Sequence, residues 1–385
     1  MNCIRSITDK QLVLILGLAG FISAADNWIV SPILPAIAAG FAVSIAQVGI
    51  ILTAYLIPYG IMQPVYGYIS DRWGKAKILK WIVFGLAFGT IGCAIAPSLW
   101  VLCLWRLITG FFAAGVIAVS LAMIGDTVAL SDRQKYVGKF MGIVFLGQGL
   151  SVGLGGIFAN FISWRIAFIS FAVLTICILP FMQKLPKDVS TPTNYSFFNE
   201  VKQVTLTPKG KVIFPLALAT GFLLLGLYSY LGAFFHEVTG LNYVQVGLIV
   251  MCYGFACLLA GHQIGNLGQK FGHQKTILLG GFLALSTALI LASLPYWPAG
   301  LLATVSLGFG YIFIQSTLAT IAFDVATEHK GLPSALIGLG LFGGGGLGTA
   351  FGSFLLSWGN YQTLWLCLAS GIALFIVATS KLHFD

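Results

Sequence analysis

Charged side chains are scarce in this sequence: Lys, Arg, Asp and Glu make up 8% of the 385 residues, whereas hydrophobic residues make up 58%. A soluble globular domain carries about 25% charged residues, so this composition excludes that class of protein. The mean hydropathy is +0.96, and many apolar runs reach the roughly 20 residues that cross a bilayer as a helix. We therefore expect an all-α protein with many membrane-spanning helices.

Several kinds of functional site are also missing from the sequence. No set of His, Cys and carboxylate residues has metal-ligand spacing, none of the seven cysteines forms a C-x-x-C pair, and no phosphate-binding loop or nucleophile beside a base is present. The net charge of +9 is not gathered into a basic tail or helix face. We expect no enzyme, no metal, no cofactor and no nucleic-acid partner; the lipid bilayer is the expected environment.

Twelve membrane-spanning helices are predicted from the apolar runs. They cover residues 12–38, 45–69, 78–96, 99–125, 137–160, 164–182, 211–235, 243–266, 276–293, 298–324, 333–357 and 361–380. A cytoplasmic N-terminus places 18 of the 20 Lys and Arg residues on the cytoplasmic side, all except Arg106 and Arg165. Basic residues are enriched in cytoplasmic loops. The map therefore predicts a multi-pass protein of the cell (inner or plasma) membrane with both termini in the cytoplasm.

The chain divides into two similar halves. The only long polar stretch, 184–210, contains three prolines and predicts a cytoplasmic linker between six-helix bundles at 1–183 and 211–385. An offset of 198 residues aligns glycines and charges of the two halves: Gly67 with Gly265, Arg72 with Lys270, Gly74 with Gly272, Lys77 with Lys275, Asp126 with Asp324 and Gly147 with Gly345. Two pseudo-symmetric bundles are the expected architecture.

The stretch from Gly67 to Lys77 concentrates charge between two apolar runs. It reads Gly-Tyr-Ile-Ser-Asp-Arg-Trp-Gly-Lys-Ala-Lys, and its glycines predict close backbone approach or a tight turn. A basic loop alone would need no acid, yet Asp71 is present. The pattern G-x-x-x-D-R-x-G-x-x-K resembles the loop between helices 2 and 3 of the major facilitator superfamily of transporters.

That resemblance implies a fold and a gate. The fold is the twelve-helix major facilitator fold, whose halves rock about a central site. Asp71 would lie near the cytoplasmic N-terminus of helix 11, around 332–334, where the helix dipole favours a carboxylate. Arg72 and Lys75 would pair with Asp126 at the inner end of helix 4. These contacts, with Gly67 and Gly74, would hold a cytoplasmic gate closed.

Asp26 is the only acid predicted to lie well inside the membrane. It is about 14 residues into helix 1, and so roughly 20 Å deep. Intramembrane acids are costly and usually functional. Burial favours the neutral form of a carboxyl group, which makes Asp26 a candidate proton carrier. The alternative is a structural acid neutralised by one permanent partner.

Arg106 is the only cation predicted inside the membrane. It begins Arg-Leu-Ile-Thr-Gly-Phe-Phe-Ala-Ala-Gly, which resembles the helix-4 motif R-x-x-q-G-x-x-a-a of proton-driven exporters, with Thr109 in place of glutamine. In that family the arginine tunes a proton site near helix 1. We therefore expect Arg106 to contact Asp26, and protonation of Asp26 to weaken the contact. The alternative is an arginine that snorkels to the outer interface.

Helix 5 is rich in glycine. Gly138, Gly147, Gly155 and Gly156 fit the antiporter motif G-x8-G-x3-G-P-x2-G-G, which the segment resembles, and Ser151-Val152 replaces Gly-Pro. Ordinary close packing of helices explains the same glycines.

The resemblance implies a proton-coupled exporter of a small amphipathic compound or drug, acting as a monomer by alternating access and driven by the proton gradient. Further polar residues are candidates to line its cavity: Asn27, Tyr59, Gln63, Gln148, Tyr228 and Gln315. Two alternatives stay open. One is a carrier of a specific metabolite or siderophore in either direction, and the other is a receptor or scaffold that does not transport.

Overall fold

The computed structural model describes residues 7–186, 196–322, 325 and 331–382. Within these ranges twelve helices are long and apolar enough to span a membrane, which confirms the predicted helix count. We number them α1 to α12: Asp9–Trp28, Ile45–Trp73, Lys75–Ile95, Leu99–Thr127, Tyr136–Phe161, Trp164–Met182, Gly210–Glu237, Tyr243–Gln263, His273–Ser293, Trp297–Ala322, Leu332–Trp358 and Tyr361–Ser380. After a turn at Ile29, α1 continues as Val30–Phe41. A short helix, Phe197–Leu206, precedes α7.

Basic side chains mark one end of the bundle. We call this end the basic end; it holds the α2–α3 turn and the start of α7. At the opposite end, polar residues cap the helices that begin there. Ser44, Ser98 and Asn360 accept hydrogen bonds from the backbone N–H groups of Gln47, Val101 and Thr363. Such caps satisfy N–H groups that have no partner within the helix.

The backbone repeats at the predicted offset. Four residues in the described ranges have positive φ: Ala42 (54°), Gly74 (95°), Gly240 (71°) and Gly272 (79°). They form two pairs, each separated by 198 residues. Each pair lies at an equivalent turn, after α1 and α7 or after α2 and α8. The aligned residue Asp324 lies outside the described residues.

A helix–helix contact repeats at the same offset. Gly110 of α4 packs directly on the carbonyl of Tyr55 in α2, and Gly308 of α10 packs on the carbonyl of Tyr253 in α8. A side chain at either glycine would meet backbone atoms of the neighbouring helix. The two halves therefore use one scheme for packing their helices.

Gly110→Ala is expected to lower the free energy of unfolding by about 1–3 kcal/mol, because the new methyl group would overlap the Tyr55 carbonyl, which is backbone and cannot rotate away. Gly142→Ala is the matched control, since a Cβ at Gly142 meets no atom within 4 Å. Unfolding in mixed micelles measures both. Equal stability of the two variants would contradict the packing described here.

The two halves meet along small residues. Gly149 of α5 packs on Gly254 of α8, and Gly60 of α2 packs on Gly343 of α11. Toward the opposite end, Ser31 Oγ donates to the Tyr228 carbonyl at 3.0 Å. Since these contacts join separate bundles, they are the surfaces that must part if the halves rock.

Helices α7 and α11 each contain a π-helical turn, Gly221–Leu225 and Leu339–Gly343. The two turns touch: Gly221 packs directly on the carbonyl of Leu341. A π-turn inserts one residue, so it shifts the helix register and weakens the regular hydrogen-bond ladder. The α11 turn also packs against α2 of the first half, at Gly60 and Tyr59.

Candidate functional site

A buried ion pair joins α1 and α4. Arg106 Nη1 donates to Asp26 Oδ2 at 2.9 Å and to the Asp26 carbonyl at 3.1 Å. Thr90 Oγ1 of α3 lies 3.2 Å from the other carboxylate oxygen, Oδ1, and shares its proton between that oxygen and the Leu86 carbonyl at 2.8 Å. Asp26 and Arg106 are both fully buried. The structure thus brings together the two residues that the sequence paired, and Arg106 does not snorkel.

Aromatic rings enclose the guanidinium group. It lies 4.0 Å from the ring centroid of Tyr55 in α2 and 5.8 Å from that of Phe168 in α6. Arg106 Nε and Tyr55 Oη are buried without a hydrogen-bond partner among the described residues. The pair therefore lies inside the first bundle, held by five of its helices, and does not open directly onto the interface between the halves.

The internal repeat shows which residues of the second bundle correspond to the ion pair of the first. The 198-residue offset aligns Asp26 with the run Leu223–Leu225, Arg106 with Thr304 and Thr90 with Ala288. All of these are buried in the second bundle, and the Thr304 hydroxyl donates to its own helix at Gly300. The second bundle thus builds the equivalent packing without charge. At the aligned positions the ion pair is therefore a feature of the first bundle alone.

Two residues after Asp26, α1 reaches the interface between the halves. Trp28 packs there against three tyrosines of the second half, and we call Trp28, Tyr228, Tyr253 and Tyr311 the aromatic cluster. Ring centroids lie 4.5 Å apart for Trp28–Tyr228, 5.2 Å for Trp28–Tyr253 and 6.5 Å for Trp28–Tyr311. The cluster connects α1 with α7, α8 and α10.

A proline leaves one backbone carbonyl of this cluster without its helical hydrogen-bond donor. Pro32 has no N–H to donate to the carbonyl of Trp28, and Tyr228 Oη donates to that carbonyl in a long bond of 3.5 Å. Beside it is a void of about 20 Å³, lined in part by Asn27, Ser31 and Tyr228. That volume has room for about one water molecule. Asn27 therefore lies where the sequence placed it, at the central interface.

The other predicted cavity residues are divided between the interfaces. Tyr59 packs on Phe342 of the α11 π-turn, with ring centroids 4.4 Å apart. Gln63 packs on Gly338 of α11. Gln148 of α5 is buried and reaches Cys257 Sγ of α8 at 4.0 Å. Gln315 is half-buried on α10, and no described contact joins it to the others.

The helix-5 glycines face two neighbours. Gly147 packs on the backbone of Phe21 and Gly155 on Ile29, both in α1, whereas Gly156 packs on the carbonyl of Tyr243 in α8. Ser151 is buried and donates to the carbonyl of Gln148 in its own helix. A Cβ at Gly138 would meet nothing within 4 Å. Helix α5 is thus packed tightly between α1 and the second half.

The charged stretch at the basic end is mostly helical, and two expectations for it were wrong. Helix α2 continues to Trp73 and α3 begins at Lys75, so only Gly74 lies between them. The first wrong expectation concerns Gly67: it lies inside α2 with open space where a side chain would be, so it makes neither a turn nor a close approach. Gly74 does make the turn, since its positive φ favours glycine.

The second wrong expectation concerns Arg72; the predicted pairing of Lys75 with Asp126 is present in the structure. Lys75 Nζ contacts Asp126 at 2.6 Å and Asp71 at 2.8 Å, whereas Arg72 extends away to Tyr68 Oη at 3.5 Å. The geometric reason is the turn: Gly74 directs Lys75 inward between the ends of α2 and α4, while Arg72 stays on the exposed face of α2. The described ion pairs here lie within the first half. The proximity of Asp71 to α11 stays a prediction.

Lys75→Ala is expected to lower the free energy of unfolding by no more than about 1 kcal/mol, because its partners Asp71 and Asp126 are partly exposed. If the cluster biases the gate, the same change alters the transport rate. Lys211→Ala, an exposed lysine at the start of α7 on the same end, is the control. If Lys75→Ala transports at the same rate as the control variant, Lys75 does not act in the gate.

The comparison with known families decides which transporter fold this is. The family model described as "Major Facilitator Superfamily" matches residues 16–331 and 237–383. The chain belongs to the major facilitator superfamily.

Two relatives and one structure illustrate its place in the superfamily. The "Uncharacterized MFS-type transporter YceJ" of Bacillus subtilis (strain 168) is 28% identical over 87% of this chain and 86% of its own length. The "Tetracycline resistance protein, class H" of Pasteurella multocida is 28% identical over 74% of this chain and 73% of its own length. The crystal structure of the nucleoside transporter NupG shares the fold, with a TM-score of 0.78 at 14% identity, covering 97% of this chain and 99% of its own.

Sequence reasoning missed several components of the site in this superfamily member, among them Trp28, Thr90 and Tyr311. Thr90 carries no sequence signal of its own, because threonine is common in membrane helices. Tyr311 lies on α10 in an apolar run, and its contact with Trp28 and Tyr253 depends on how the halves dock. The repeat offers one usable signal: Tyr55 aligns with Tyr253, and both hydroxyls are buried without a described partner.

Proposed function

We propose that this protein is a secondary active transporter that exports a small amphipathic compound in exchange for protons. One observation carries the proposal: a fully buried carboxylate, Asp26, is held by Arg106 and Thr90 at a position where the repeat has leucine. Burying two charges costs several kcal/mol per ion before their attraction repays it. A site with that cost and no counterpart in the second bundle favours a functional role.

The geometry supports a proton-dependent switch at Asp26. A proton on the carboxylate removes the ionic attraction to Arg106. The guanidinium keeps its bond to the Asp26 carbonyl and its place over the Tyr55 ring, and these contacts offset part of the cost of leaving its charge without a carboxylate. The change in α1 lies two residues from Trp28, and it reaches the second half through the aromatic cluster. Proton binding is thereby coupled to the equilibrium between the two arrangements of the halves.

The aromatic cluster supports an amphipathic substrate. Its rings offer flat apolar faces, and Asn27 and the tyrosine hydroxyls offer hydrogen bonds beside them. Binding sites for small molecules commonly combine such a surface with a few polar groups. The Pasteurella multocida relative is named a tetracycline resistance protein, and that name agrees with export.

We also propose the organisation that the charge distribution suggests. The units are residues 1–183 and 211–385 with the linker 184–210 between them. The basic end faces the cytoplasm, as do both termini, in the cell membrane. The transport unit is a monomer, since the proposed coupling path lies within one chain.

Transport in proteoliposomes with an imposed pH gradient tests the proposal, with a panel of cationic, anionic and neutral amphipathic compounds. We expect one class to accumulate against its own gradient while protons move the other way. A compound that crosses only down its own gradient, whatever the pH gradient, would replace the proposal with a facilitator. Saturable binding without any transport would indicate a receptor.

A further inference from the structure

A second cavity lies at the opposite end of the bundle, away from Asp26 and the aromatic cluster. Its volume is about 700 Å³, within the roughly 300–1,000 Å³ typical of small-molecule sites. The end of the first helix, the start of α2, the α3–α4 turn and α11 form its wall. The lining residues are Phe41, Val43, Ala46, Gln47, Ile50, Thr53, Pro97, Ser98, Leu99, Trp100, Ala350 and Ser353.

Two hydroxyl oxygens in this wall can each accept a hydrogen bond from a ligand. Thr349 Oγ1 donates its single proton to the Gly346 carbonyl, so Thr53 is the donor in the 2.8 Å bond between Thr53 and Thr349. Tyr230 Oη likewise donates to the Thr349 carbonyl at 2.6 Å, so Ser353 is the donor in the 2.8 Å bond to Tyr230. The protons of Thr53 and Ser353 are thus used, and their lone pairs remain for a ligand that donates.

Gln47 supplies the complementary group. Its Oε1 accepts from the Ser44 backbone N–H at 3.0 Å, and no described hydrogen bond uses its Nε2 amide. Ser98 is occupied as the cap of α4. The polar part of the wall therefore offers acceptors at Thr53 and Ser353 and a donor at Gln47, all uncharged.

The absence of charged residues from the wall favours an uncharged ligand. Every lining residue is uncharged. One described cation lies beside the wall: the Arg165 guanidinium stands over the rings of Trp164 and Phe41 and donates to the Ala96 carbonyl. Arg165 does not line the cavity. A phospholipid would bring a phosphate for which the wall itself holds no cation, and an ammonium compound would lose hydration without a carboxylate partner in the wall.

We propose that this cavity binds a small neutral amphipathic compound with a hydroxyl or amide N–H donor. Its apolar body packs among Phe41, Ile50 and Trp100, and its polar group lies against Thr53 and Ser353. The site spans the seam between the halves, because Thr53 belongs to the first and Ser353 to the second. A bound compound contacts both helices that the Thr53–Thr349 bond joins, so its binding responds to separation of α2 from α11. This proposal does not depend on the proton-coupled export proposed above.

Photolabelling of the full-length protein in phospholipid nanodiscs tests the site. The probe is a medium-chain 1-alkanol that carries a diazirine, and the labelled peptides are identified by mass spectrometry. We expect labels within 46–53 and 97–100. A trimethylammonium analogue of the same chain length is expected to label these peptides about tenfold less, because its charge has no partner in the wall.

Ala46→Trp fills the cavity and is expected to abolish labelling of both peptides. Ala39→Trp is the matched control, since Ala39 is an exposed alanine at the same end that does not line the cavity; it keeps the label. Gel filtration and thermal unfolding verify that both variants fold. Should Ala46→Trp fold poorly, competition by unlabelled decanol on the wild-type protein gives the same information: saturable loss of label supports the site.

Three results would overturn the proposal. The first is labelling spread evenly over lipid-facing helices. The second is equal labelling by the ammonium analogue. The third is a phospholipid that native mass spectrometry finds bound to the wild-type protein and Ala39→Trp but not to Ala46→Trp, which would make the cavity a lipid site.

Discussion

Arg106→Met is expected to lower the free energy of unfolding by about 3–5 kcal/mol, because it leaves the Asp26 carboxylate buried with no cation beside it. Methionine fills much of the volume of the arginine chain, so the loss of charge dominates the change. Thr90 alone then holds the carboxylate. Unfolding in mixed micelles, followed by tryptophan fluorescence, measures the difference.

The double variant Asp26→Leu/Arg106→Met separates charge from packing. Replacing a whole buried ion pair by apolar residues of similar volume is often neutral or stabilising, and the second bundle already packs leucine at the equivalent position. We expect the double variant to unfold at or near the wild-type free energy. If it is as unstable as Arg106→Met, the pair is a structural requirement and the repeat misleads.

Asp26→Asn is expected to abolish the coupling of transport to the pH gradient. Asparagine keeps the size of the side chain: its Oδ1 can still accept from Arg106, and its Nδ2 amide can donate to the Thr90 hydroxyl, whose own proton goes to the Leu86 carbonyl. It cannot take up a proton. Substrate binding and passive exchange therefore persist while accumulation is lost. Asp9→Asn, at the start of the same helix, is the control and is expected to retain coupling. Accumulation at the wild-type level by Asp26→Asn would exclude Asp26 as the coupling group.

The spanning helices could be predicted from the sequence because bilayer thickness sets their length and composition, independently of tertiary contacts. The repeat was also predictable, since glycines with positive φ, such as Gly74 and Gly272, recur at the same offset as the charges. The pairing of Asp26 with Arg106 was predicted from the resemblance of the helix-4 motif, whose arginine lies near helix 1 in that family, and from the need of a buried guanidinium for a partner.

The features that the sequence did not predict depend on how the helices pack against one another. The π-turns at Gly221–Leu225 and Leu339–Gly343 depend on close contact between α7 and α11, and no residue type marks them. The choice of Lys75 over Arg72 as the partner of Asp126 depends on where one glycine turns the chain. The enclosure of Asp26 away from the central interface depends on how the side chains of five helices pack around it.

The measurement that tests the account most directly is gradient-driven transport by Asp26→Leu/Arg106→Met, after its stability has been shown to match the wild type. The account predicts a folded protein that binds substrate and does not respond to the pH gradient. Accumulation of substrate by the double variant at the wild-type rate would contradict it, because the ion pair would then serve neither folding nor coupling.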